Sequence, residues 1–167
     1  MKLSTKGRYG LRALIDLALY GENEAVSIAS ISARQQISES YLEQLIAKLR
    51  KAGLVSSVRG AGGGYKLAKP ASEISVGDIL RALEGSLDAV KCPGLEEDGF
   101  CEGSEYCVAK YVWQKINDSI NRTVDEIGLD QLIEESRKVR MKQEGQDPAV
   151  SIHRIIGDRI DEKTDLS

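Results

Sequence analysis

Six residues, Arg59-Gly60-Ala61-Gly62-Gly63-Gly64, stand between two short runs, Leu54-Val55-Ser56-Ser57-Val58 and Tyr65-Lys66-Leu67-Ala68. Glycine lets a chain turn tightly and weakens regular structure, so this pattern predicts a β-hairpin with a glycine-rich tip. Pro70 ends it. A phosphate-cradling loop is excluded. That motif needs Gly-x4-Gly-Lys-Ser/Thr opening a helix, and here Tyr65 follows the glycines and a strand continues.

Upstream, apolar spacing predicts three short helices. The first runs from Ser4 or Thr5 to Tyr20, with Leu11, Leu14, Ile15, Ala18 and Leu19 on one face and Gly21 as its stop. Ser27 caps a second, which carries Ile28, Ala29 and Ile31 to about Gln36. Ile37 is a tight connection, and Ser38 caps a third helix that turns Leu42, Leu45, Ile46 and Leu49 to the core. Gly53 follows where a left-handed residue is expected. Three helices and a hairpin make a winged helix-turn-helix domain, placed at residues 1–72.

Downstream, Ser75 caps a helix with Val76, Ile79, Leu80 and Leu83 on one face. Residues 85–104 read as irregular. A long helix is expected from near Glu105 to about Ile127, with Val108, Val112, Ile116, Ile120, Val124 and Ile127 recurring every three or four positions. A short helical piece follows from about Asp130 to Val139. The segment 140–167 is polar and expected to be weakly ordered, with at most a turn or two around Ile152, Ile155, Ile156 and Ile160. Aromatic residues make up only 5%, which also favours helices. The expected fold class is therefore mainly α with a small β-hairpin.

Charge is unevenly placed. Residues 1–69 carry 11 basic and five acidic side chains, a net of +6, while the remainder carries 12 basic and 21 acidic, a net of −9. A basic half suggests a polyanion-binding surface. The recognition helix of such a domain enters the major groove of duplex DNA. With its apolar side buried, the third helix offers Ser40, Tyr41, Glu43, Gln44 and Lys48 outward. Glu43 can accept from cytosine, and Gln44 can pair with adenine. Arg50 and Lys51 lie nearer phosphates, and Arg59 at the wing tip can reach phosphate or a narrow minor groove. The competing reading is an interaction module that binds protein and not DNA.

No run approaches 18 consecutive apolar residues, and the first residues have no apolar core of a signal peptide behind them, so a cytoplasmic location is expected. The one histidine, His153, excludes most His-dependent catalysis, and no nucleophile–base pair can be assembled with it, so the chain is not expected to be an enzyme.

All three cysteines fall in one short stretch, Cys92-x8-Cys101-x5-Cys107. In a reducing compartment this points to metal, cluster or redox chemistry more than to disulfides. Cys107 is expected to open the long helix, whose dipole favours a thiolate. The two-cysteine loop can fold back so that the three sulfurs converge. No zinc-knuckle spacing is present, and three thiolates need a fourth ligand for zinc or for a complete cluster. The bland reading is three unrelated thiols.

Three stretches carry a family resemblance: Leu3-Ser4-Thr5-Lys6-Gly7-Arg8-Tyr9, Ile37-Ser38-Glu39-Ser40-Tyr41-Leu42-Glu43-Gln44-Leu45, and Leu54 through Tyr65. They resemble the bacterial winged-helix regulators typified by IscR, the iron–sulfur cluster assembly regulator. The similarity continues through Ser75-Val76-Gly77-Asp78-Ile79 and the long helix to about residue 135. It implies a homodimer paired through the long dimerisation helix, about Glu105–Ile127, so that residues 73–139 form a cluster-binding and dimerisation segment. It implies a double-stranded DNA operator as partner, touched at Ser38, Ser40, Tyr41, Glu43, Gln44, Arg59 and Gly60. It implies repression or activation of operons for cluster assembly, cysteine metabolism or nitric-oxide stress. It further implies a 2Fe–2S cluster on Cys92, Cys101 and Cys107.

One departure matters. The family's fourth ligand is a histidine three residues after the third cysteine, and here that position is Lys110. Candidates in its place are Glu102, Glu105, Asp98, Tyr106, His153 or water. Relatives that hold a 4Fe–4S cluster with an N-terminal Asp are disfavoured because that position is Arg8. The cysteine-metabolism branch lacks this cysteine set. The sequence thus reads as a transcription regulator that senses cluster status and controls cluster-biogenesis genes. The alternative within this fold is a thiol- or zinc-based redox sensor.

Overall fold

Four serines start four helices. Ser4 Oγ accepts from the Lys6 amide at 3.1 Å and opens α1, Thr5–Tyr20. Ser27 Oγ accepts from the Ser30 amide at 3.1 Å and opens α2, Ile28–Gln35. Ser38 opens α3, Glu39–Lys51, through the Tyr41 amide. Ser75 and Asp78 satisfy each other's backbone amides at 3.0 Å and open α4, Val76–Glu84. Each cap satisfies an amide that the helix itself leaves unpaired, worth about 1 kcal/mol. The computed structural model describes residues 3–146.

Between α3 and α4 lies one antiparallel hairpin, β1 (Val55–Val58) with β2 (Gly64–Leu67), in the register Val55↔Leu67 to Val58↔Gly64. Val26 and Tyr65 exchange backbone hydrogen bonds of 2.9 and 2.8 Å, which fasten the hairpin to the loop before α2. α5 (Ala109–Asp125) and α6 (Leu129–Gln146) complete the order. The chain is mainly helical with a small hairpin, as its apolar spacing predicts.

Leu14 and Leu17 of α1, Ile31 of α2, Leu42, Leu45, Ile46 and Leu49 of α3, and Ile79 and Leu83 of α4 form the core, each essentially inaccessible to solvent. α4 packs on both α1 and α3, so the core extends past the hairpin. Gly7 and Gly10 make this possible, since a Cβ at Gly10 would overlap the Leu83 side chain. α1 buries Gly7, Gly10, Ala13, Leu14, Asp16, Leu17 and Ala18, while Leu11, Ile15 and Leu19 are only half-buried. Its inward stripe is therefore rotated from the expected one. Asp16 lies on the rotated stripe. It is buried to 1% exposure, where it accepts from Arg34 at 2.6 Å and from Gln35 at 2.8 Å. The same Arg34 lies 4.0 Å over the Tyr20 ring. The aspartate draws the guanidinium to it and raises the already high Arg34 pKa.

Two helix boundaries differ from the sequence expectation. α5 begins at Ala109 and not near Glu105. The Ser104 carbonyl, which a helix through this stretch would give to the amide of residue 108, instead meets the Cys107 amide and the Lys110 ammonium. α6 runs to Gln146, beyond the expected end at Val139, because its last turns are rich in good helix formers. The proposed weak order beyond residue 146, including Ile152, Ile155, Ile156 and Ile160, lies outside the described residues. The described chain divides into two units after Gln131. In the second, Lys138 and Glu135 form an exposed ion pair of 2.7 Å.

Candidate nucleic-acid interface and cysteine segment

α3 carries the candidate reading surface. Leu42, Leu45, Ile46 and Leu49 are buried, which leaves Ser40, Glu43 and Gln44 exposed near its N-terminal end. Ser38 is the exposed cap. Tyr41 is half-buried, with its hydroxyl 3.2 Å from Thr5 Oγ1 and its ring edge-on to Tyr9 at 6.1 Å. Arg50 and Lys51 are exposed in the last turn. Lys48 is exposed, as the outward face predicts. Its ammonium donates to the Leu83 carbonyl at 3.1 Å, at the C-terminal end of α4, where helix carbonyls lack partners. Arg59 and Gly60 are exposed on the hairpin tip, and Gly60 takes a φ of 105°, which favours glycine. The structure thus gathers Ser38, Ser40, Tyr41, Glu43 and Gln44 on one helix end. Arg50 stands at the other end, and Arg59 with Gly60 stands on a separate projection.

The cysteine segment, residues 85–108, is held to α5 at two points. Asn117 Oδ1 accepts from the amides of Ala89 at 2.9 Å and Val90 at 3.3 Å, and its Nδ2 donates to the Val90 carbonyl at 2.9 Å. Lys110 donates to the Ser104 carbonyl at 2.8 Å. A third approach lies within the segment, where a Cβ on Gly94 would lie 3.0 Å from Ser104 Oγ and 3.8 Å from Cys92 Sγ. All three thiols are free. Cys92 and Cys107 are half-buried, and Cys101 is exposed.

Cys107 lies before α5, at the end of a turn, and not inside the first helical turn as expected. Among the described residues, no three His, Cys, Asp or Glu side chains converge as a ready metal site. The donor chemistry nonetheless fits an iron–sulfur group. Three soft thiols, none tied in a disulfide, share one short segment without regular strands or long helices. Lys110 is engaged with Ser104, and His153 lies outside the described residues.

Residues 3–135 match the Rrf2 family, described as iron-dependent transcriptional regulators. The chain belongs to the Rrf2 family. It is 42% identical over 167 residues to the HTH-type transcriptional regulator IscR of Pectobacterium carotovorum subsp. carotovorum (strain PC1), covering 100% of this chain and 98% of that protein. Among solved structures it is similar to T. potens IscR, at 46% identity and a TM-score of 0.66, over 83% of this chain and 90% of that one. It is also similar to the oxidized form of Staphylococcus aureus CymR, at 41% identity and a TM-score of 0.63, over 80% of this chain and 97% of that one. Like these Rrf2 relatives, the chain is a DNA-binding transcription regulator of winged-helix fold and not an enzyme. Among the described residues no helix is long and apolar enough to cross a membrane.

Likeness of fold does not separate T. potens IscR from Staphylococcus aureus CymR, since the two TM-scores nearly coincide. What separates them must lie in particular residues. The sequence reading includes neither Asn117 nor Glu84, nor the bond from Lys48 to Leu83. Asn117 carried no signal, being one polar residue on a polar helix face. Glu84 did carry one. A carboxylate in the last position of a helix opposes the helix dipole, which argues for a partner elsewhere.

Proposed function

We propose that this chain is a homodimeric transcription regulator that senses iron–sulfur cluster supply and controls cluster-biogenesis genes. Residues 1–72 read double-stranded operator DNA, and residues 73–139 sense and pair. The observation that carries this reading is a recognition helix with an exposed polar end in the same chain as three free thiols within one segment. Ser38, Ser40, Tyr41, Glu43 and Gln44 face base edges, Arg50 faces phosphate, and Arg59 with Gly60 approaches the neighbouring groove. A carboxylate facing DNA repels phosphate and accepts only a base with a donor, so Glu43 acts as a selectivity filter.

Cys92, Cys101 and Cys107 are the residues that would hold a 2Fe–2S cluster. When bound, it supplies an iron- and redox-sensitive tie across the segment. Lys110 is not its fourth ligand, because its ammonium is engaged with Ser104 and gives no lone pair when protonated. Pairing is supported by α5, whose exposed Tyr111, Val112 and Ile116 line an open groove of about 510 Å³ with Ile120. A second copy covering that apolar face stabilises it by burial. The regulator works in the cytoplasm, where its operators are.

The test is iron and sulfide analysis with Mössbauer spectroscopy on protein purified without oxygen. Equal iron and sulfide support the reading, and zinc alone contradicts it. The second reading is a thiol sensor without a cluster. Exposed Cys101 and the similarity to an oxidized CymR favour it, and thiols that oxidise without any bound iron would establish it.

A further inference from the structure

The last turn of α4 reaches two other helices. Glu84 Oε1 accepts from the Ser4 amide at 3.0 Å, from Ser4 Oγ at 2.7 Å and from the Gly7 amide at 2.8 Å. The Leu83 carbonyl accepts from Lys48 of α3. A carboxylate at this end of α4 is unfavourable to its own helix, yet it faces the N-terminus of α1, where negative charge is favoured. Gly7 allows the approach, since a Cβ there would lie 2.7 Å from Glu84 Oε1. Burial raises the Glu84 pKa, but hydrogen bonds from Ser4 and Gly7, with the charge of Lys6, outweigh it and hold the carboxyl below its usual range.

The first turn of α1 in turn touches α3. Thr5 Oγ1 pairs with the Tyr41 hydroxyl, and Tyr9 meets the Tyr41 ring edge-on at 84°. Tyr41 stands in the first turn of α3, beside exposed Ser40, Glu43 and Gln44. One chain of contacts therefore runs from Glu84 through Ser4 and Thr5 to Tyr41. Gly85, with a φ of 88°, follows Glu84 directly and begins the cysteine segment.

We propose that Glu84 is a positioning residue for DNA recognition, which fixes the first turn of α1 so that Thr5 and Tyr9 set Tyr41 and the reading end of α3. The proposal rests on α3 being the recognition helix. Glu84 acts through α1, so its loss moves sequence preference and leaves charge-driven attraction to DNA in place.

The test uses the full chain, a duplex that the wild type selects from a randomised pool, and a random-sequence duplex, below the melting range of every variant. Glu84→Ala is expected to bind the selected duplex about tenfold more weakly, the size of one lost hydrogen bond expressed in binding. Its affinity for the random duplex stays unchanged. Glu84→Gln keeps one acceptor oxygen and loses the charge, so its loss is about threefold, and it decides the matter if the alanine variant does not fold. Thr5→Val adds little on top of Glu84→Ala, because both act through Tyr41. Equal losses on both duplexes, wild-type preference in Glu84→Gln, or fully additive losses with Thr5→Val overturn the proposal. A wild-type chain with no preference among duplexes overturns both the recognition-helix reading and the proposal.

Discussion

In the reading head, α1, α3 and α4 bury Leu14, Leu45 and Leu83 almost completely, and every helix starts from a serine cap. In the cysteine segment, residues 85–108, Leu87 is the one side chain buried to that degree, and the backbone is fixed by Asn117, Lys110 and a few short-range turns. Burial is cooperative and hard to change locally, whereas a handful of hydrogen bonds can open without disturbing the rest. A surface that must present the same side chains to DNA each time belongs on the first kind of structure. In the proposed function the cysteine segment responds to what its thiols bind, and such a segment belongs on the second.

The largest expected effect separates the two directly. Leu45→Ala removes a side chain with 1% exposure from the middle of the core, and is expected to destabilise the head by about 3 kcal/mol in urea unfolding. A loss under about 1 kcal/mol would mean that the core is loosely packed there.

Asn117→Ala comes next. It removes three hydrogen bonds to residues 89–90 and is expected to speed alkylation of Cys92, while the global unfolding midpoint moves by about 1 kcal/mol or less. Equal labelling rates in the two proteins would show that the segment is anchored elsewhere.

Acid should act on the head through Asp78 and Glu84. For both, burial raises the pKa, and hydrogen bonds more than reverse it, from Ser75 for Asp78 and from Ser4 and Gly7 for Glu84. Carboxyls lowered in the fold stabilise it fully above their unfolded values, about 4, and lose that contribution as pH falls through the lower folded values. Stability measured from pH 6 downward should therefore begin to fall near pH 4, and less steeply in Glu84→Gln. An unchanged profile in that variant would remove Glu84 from the acid response.

Arg59→Ala is expected to have a smaller effect, with no change in stability. The slope of log affinity against log salt should decrease by about 1, since one charged contact with the duplex is lost. The same slope with the same affinity would remove the hairpin tip from the interface.

Much of the head was legible because its causes are local. The serine caps, the apolar spacing of Leu42, Leu45, Ile46 and Leu49, and the left-handed Gly53 at a φ of 74° each follow from neighbours in the chain. Asp16 was not legible, because its partner Arg34 comes from another helix and turns a charged residue into a core residue. The partner of exposed Lys48 was not legible for the same reason, since its bond is to α4. α5 starts later than expected because Val108 continues the apolar spacing, while the Lys110–Ser104 bond beside the turn cannot be read from spacing. The cysteines were legible as a group by their proximity in sequence. Their separate exposures depend on how the segment is laid over α5.

In the proposed function the three thiols govern which DNA the head prefers without holding the head together. The direct measurement is selection from a randomised duplex pool by protein purified without oxygen, set beside the variant with Cys92, Cys101 and Cys107 all changed to Ala. The variant is expected to bind no iron, to keep its unfolding free energy within about 0.5 kcal/mol of the wild type, to pair as the wild type does and to select a broader or different set of sites. An iron-loaded wild type and an iron-free variant that select the same sites would contradict that function.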